Sequence, residues 1–117
     1  MPAAGAILPV ILLALAAVLM NVAWYYHLKQ PSLGLLAAIG LAWGIALVEY
    51  CLAVPANRIG IAHFSLAELK TIQEVLSLAG FVVVAWVLFG QAPGPSQLAG
   101  FALIAGGAFM IFKSPLG

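Results

Sequence analysis

Apolar residues run along this chain in four long stretches, separated by three short clusters of proline, glycine and polar residues. A bilayer core of about 30 Å needs about 20 apolar residues in a helix. Residues 6–27 meet that length, with Asn21 as the strongly polar interruption. Pro9 falls in the first turn, where a missing N–H is tolerated. A short polar connection, HLKQPS, follows and is closed by Pro31. Residues 33–54 predict a second helix, with Glu49 in its last third and Pro55 as its terminator.

The third stretch is more tightly constrained. Ser65 and Glu68 have the spacing of a capping box, so a helix is expected to start there. The uncharged run after Glu74 is Val75 to Phe89, about 15 residues and so about 22 Å. That is too short for the hydrocarbon core. The helix spans only if the turns holding Gln73 and Glu74 are drawn into the membrane, with Lys70 near the boundary. Gly90, Pro93, Gly94 and Pro95 close this helix, predicted over 65–89. The fourth is predicted over 95–113, with Lys113 anchoring its end.

These four segments predict an all-α membrane protein, with the whole chain, 1–117, as a single four-helix domain. Short loops make the helices antiparallel neighbours and put both termini on the same side. Composition agrees: 66% of residues are hydrophobic and 6% charged, far from the roughly 25% charged residues of a soluble domain. The first stretch has no basic residue before it and is too long for a signal sequence, so it reads as an uncleaved first helix. A net charge of +1 provides no basic field, so no nucleic-acid partner is expected. Arg58, Lys113 and Lys70 fall on the side of the termini, against Lys29 on the other. The positive-inside rule then favours cytoplasmic termini, by a bias small enough to leave dual insertion open. Cys51, the single cysteine, allows no internal disulfide and reads as a small buried residue.

Charge is rare and concentrated. Five of the seven charged residues lie between Glu49 and Glu74. Ionisable groups inside a membrane are costly, by about 2.5–3.5 kcal/mol on insertion scales, and mark functional candidates by default. Lys70, Gln73, Glu74 and Ser77 recur at i, i+3, i+4 and i+7, on one helix face. This stripe reads as the polar wall of a substrate cavity, or else as helix–helix glue around a Lys70–Glu74 pair. Glu49 reads either as a coupling group or as a structural partner of Arg58. Glu74, being deeper by this arithmetic, is the first candidate for a protonatable site, and Glu49 the second.

Asn21, Trp24 and Tyr25 share a face of the first helix, and Trp43, Leu47 and Tyr50 a face of the second. Aromatic walls beside a carboxylate suit an organic cation. Against this, tyrosines near span ends also fit an interfacial belt, and Asn21 fits a bond across helices. His27 and His63 stand near opposite membrane faces, and no Cys/His cluster or phosphate-binding loop is present. No metal, cofactor or enzymatic activity is therefore expected. The fourth helix is rich in small residues. Ala102, Gly106 and Gly107 suit close backbone approach, within one subunit or in a homodimer that would enlarge a cavity.

Three blocks resemble a known family: AWYYHLK at 23–29, WGIALVEYCLAVPANRIG at 43–60 and FSLAELKTIQEVLSLAGF at 64–81. They are similar to a four-helix bacterial family of unknown function within the drug/metabolite transporter superfamily. Tyr26 stands where that pattern has glycine, and Glu68 where it has glutamine. The last helix is distantly similar to the dimerising helix of small multidrug resistance exporters. Those exporters carry their coupling acid in the first helix, where this chain has Asn21 as its nearest polar group. The resemblance implies a small-solute transporter of the bacterial inner membrane. The residues read with it are Glu74, Glu49, Gln73, Lys70, Arg58, Asn21, Trp24, Tyr25, Trp43 and Tyr50. Its partners would be the lipid bilayer, an unidentified small molecule and a second copy of the chain. The alternative is a membrane scaffold in which Glu49, Arg58, Lys70 and Glu74 form a closed ionic network.

Overall fold

The computed structural model describes residues 2–113, with the side chains of 5–112. The side chain of Lys113 lies outside that range. Four helices account for the chain: α1 (Pro2–Tyr25), α2 (Leu35–Gly60), α3 (Leu66–Phe89) and α4 (Pro95–Lys113). A short 3-10 turn, Tyr26–Lys29, extends α1. All four are long and apolar enough to cross a membrane, and no strand occurs among the described residues. The protein is an all-α, multi-pass membrane protein.

Local chemistry fixes the ends of α3. Ser65 Oγ accepts from the Glu68 N–H at 3.1 Å, and Glu68 Oε1 accepts from the Ser65 N–H at 2.9 Å. Both orphan donors at the helix start are thus satisfied. At the other end Gly90 takes a left-handed φ of 66°. This lets the Gln91 and Gly90 N–H groups reach the carbonyls of Ala85 and Trp86, each at 3.0 Å.

The helices form an open row, α2–α1–α3–α4. α1 packs on both α2 and α3, while α4 leans mainly on α3. The thinnest dimension is 22 Å, against 51 and 35 Å for the others. The apolar centre, Leu13, Ala56 and Leu69, joins α1, α2 and α3. Gly5 of α1 lies against His63, and Phe64 meets Phe112 edge-on at 6.5 Å. The start of α1, the α2–α3 turn and the end of α4 therefore share one face. On the opposite face Lys29 Nζ donates to the Leu88 carbonyl and sits 5.9 Å from the Phe89 ring.

Two expectations fail in α2. The helix does not stop at Pro55 but continues to Gly60. Proline removes one backbone hydrogen bond, but the extra turns bury Ala56 completely and bring Gly60 against Pro9 and Leu69. Cys51 is exposed, not buried. The buried face of α2 runs through Glu49, Ala53, Ala56 and Gly60, and Cys51 falls off that stripe.

The α1–α3 seam is equally tight. A Cβ at Gly80 would stand 3.3 Å from Asn21 Nδ2 and 3.6 Å from the Ala17 carbonyl. Asn21 is 2% exposed and its Nδ2 donates to the carbonyls of Ala17 (2.8 Å) and Ser77 (2.9 Å). Gly80→Leu should push the two helices apart and destabilise the fold by about 1–3 kcal/mol, as overpacking does. Thermal unfolding in detergent, compared with Gly44→Leu at a position with open space around it, measures the effect.

Candidate functional site

Three helices enclose a hollow of about 190 Å³. Leu13, Ala16, Ala17 and Met20 of α1 form its floor, with Trp24 at its far edge. Glu49 of α2 lines one side, and Lys70, Gln73, Glu74 and Ser77 of α3 line the other. The polar stripe read from α3 thus faces a cavity, and both intramembrane glutamates border the same space.

Their environments differ. Glu49 is 6% exposed, and its Oε1 is buried without a hydrogen-bond partner. A buried carboxylate left unpaired is costly in any low-dielectric medium. Glu74 is 60% exposed at the side chain and forms an i, i+4 ion pair with Lys70 at 2.9 Å. The pair runs Lys to Glu, the weaker orientation, and exposed pairs of this kind contribute about 0–1 kcal/mol. Charges on Lys70 and Glu74 cancel, so the chamber's unbalanced group is Glu49. Glu49, the second candidate from sequence, is thus the enclosed one of the two. With α2 running on to Gly60, Glu49 stands about 16 Å from the helix end, deep in the span.

Arg58 does not partner Glu49. It lies nine residues further along α2, two and a half turns at 3.6 residues per turn, and so on the opposite face. It is exposed and makes no ion pair among the described residues. The closed ionic network of the scaffold reading therefore does not form: of its four groups, only Lys70 and Glu74 join.

The aromatic candidates separate as well. Trp24 borders the chamber and two neighbouring hollows. Tyr25 turns to α3, with its ring 5.6 Å from that of Phe81. Together with Asn21, Trp24, Glu74 and Ser77 it lines a second hollow of about 320 Å³ on the α1–α3 side. Trp43 lines a third, apolar one of about 350 Å³ between α1 and α2. Tyr50 is exposed and lines none of the three. A single aromatic wall of four rings is thus not assembled. The floor residues escaped sequence reasoning because small and apolar side chains carry no chemical signal; Ala16, Ala17 and Met20 on one face were the only hint.

The resemblance read from the sequence can now be set against a family. The family model described as "Putative member of DMT superfamily (DUF486)" matches residues 9–112. The chain belongs to that family. Its match reaches into all four helices and covers every residue that borders the chamber. Members of the wider drug/metabolite transporter superfamily are transporters rather than enzymes, so the family supports a membrane transporter in general terms. No curated protein and no solved structure gives a match.

Within this family framework, Glu49 can be tested without any ligand. Glu49→Gln keeps the shape and removes the uncompensated charge. It should raise the unfolding temperature, by a stabilisation of about 1–3 kcal/mol. A fall instead would show that the carboxylate is held by a structural partner.

Proposed function

We propose that this protein is a small-solute transporter whose binding site is the α1–α2–α3 chamber, with Glu49 as its central charged group. The observation that carries this is the buried, unpartnered Oε1 of Glu49 beside an otherwise charge-balanced hollow. A carboxylate in such a place has to be neutralised, by a proton or by a cation. Exchange between the two at one site is the elementary step of coupled transport: the solute leaves when the proton binds. Lys70 and Glu74 flank the chamber, and Gln73 and Ser77 supply neutral hydrogen-bonding groups to a solute's polar end. Arg58 and Lys70 stand at the end of the termini and Lys29 at the other, which favours cytoplasmic termini in a bacterial inner membrane.

A homodimer through α4 completes the proposal. That helix packs mainly on α3, Ala102 is exposed, and a Cβ at Gly106 or Gly107 would meet nothing within 4 Å. Small residues on an uncovered face let two backbones approach.

In proteoliposomes, a panel of small solutes should give transport currents in the parent that Glu49→Gln abolishes and Arg58→Gln leaves largely intact. No current from any solute class in folded protein would overturn transport. Gly106→Leu should shift the detergent-solubilised protein from dimer to monomer in light scattering, with its helicity unchanged.

A further inference from the structure

The inner face of α2 reads as a single stripe. Ala38, Ala42 and Ala46 recur at four-residue spacing, and Glu49 follows three residues on. The three alanines line the apolar groove between α1 and α2, which Ala23, Trp43 and His27 also border. Glu49 lines the polar chamber. Trp24 borders both, so the two hollows adjoin at one indole ring. The groove is larger, about 350 Å³ against about 190 Å³, and Leu35, Ile39 and Trp43 at its border are exposed. From Ala38 to Glu49 the stripe covers about 16 Å.

The two compartments have opposite chemistry. The chamber holds an uncompensated negative charge, an amide and a hydroxyl. The groove is lined by alanine methyl groups, Leu35, Ile39 and two indoles, with the His27 imidazole as its one polar side chain beyond the indole N–H groups and no Asp, Glu, Lys or Arg. A compact cation would fill only the first. A neutral lipid chain would fill only the second and leave Glu49 unanswered. A molecule with a cationic head and one aliphatic tail satisfies both.

We infer that the Glu49 chamber takes the ammonium head of an amphiphilic amine whose aliphatic tail lies in the alanine-floored groove between α1 and α2, reached laterally from the bilayer. The ammonium N–H groups donate to the Glu49 carboxylate in a charge-assisted bond, and the head also packs near the Trp24 face. The alanines leave room for the tail, where larger side chains would close the groove. Gly40 and Gly44 lie off this stripe and have open space around them. This inference rests on Glu49 being the solute site, and it adds the class of solute.

The test uses n-octylamine, methylamine and 1-octanol with the full chain in lipid nanodiscs, read by calorimetry against empty discs. n-Octylamine should bind saturably, one per chain, with methylamine about tenfold weaker or more. Glu49→Gln should weaken n-octylamine about tenfold. Ala42→Phe, which fills the groove, should bring n-octylamine down to the level of methylamine and leave methylamine unchanged. Should Ala42→Phe fail to fold, Ala38→Phe at the outer end of the groove takes its place. Equal binding of n-octylamine and 1-octanol, or insensitivity to Glu49→Gln, overturns the head site. An Ala42→Phe or Ala38→Phe loss shared by methylamine, or no loss at all, overturns the tail groove. If no amine binds while another solute still drives a Glu49-dependent current, the amine class fails and the transport reading stands.

Discussion

Close approach of α1 to both of its neighbours is the constraint on which this fold depends. In a lipid solvent, apolar side chains gain little by meeting one another, so packing and interhelical hydrogen bonds must hold helices together. Two contacts supply this. On one side Gly60 admits Pro9 and Leu69. On the other, Gly80 admits Asn21, whose amide ties α1 to the Ser77 carbonyl of α3. With α1 so placed, α2 and α3 stand on either side of it and their polar faces look onto a shared space.

The chamber follows from that arrangement and from where charge is spent. Three carboxylates serve three purposes. Glu68 closes a capping box and needs no other explanation. Glu74 is tied to Lys70 at a largely exposed position. Glu49 alone is enclosed, with one oxygen unanswered by any protein group. A membrane protein that keeps an unanswered carboxylate sacrifices stability there, which is the usual signature of a site built for something else to occupy.

Much of this was legible in the sequence because it depended on length and local chemistry. Four spans, the Ser65–Glu68 cap, the Gly90 terminus and the one-sided polar stripe of α3 all follow from spacing over a turn or two. What sequence misplaced depended on a single tertiary preference. Reading Pro55 as a terminator put Glu49 at the membrane edge, within reach of Arg58. In the fold, burial of Ala56 and Gly60 outweighs the missing backbone bond, and the extra turns sink Glu49 into the span. Glu74, on α3, is instead largely exposed and paired with Lys70. The aromatic wall failed for a different reason: residues on one face of a helix need not face the same cavity, and Trp43 and Tyr50 look away from the chamber that Trp24 borders.

The row order of the helices bears on stoichiometry. α4 stands at one edge of the row and the α1–α2–α3 chamber toward the other. A second copy joined along α4 would put both α3–α4 pairs between the two chambers. Two such subunits would not merge their hollows into one shared cavity. Each chain would keep its own complete site, and the dimer would carry two solutes, with any communication between them passing through the α3 helices.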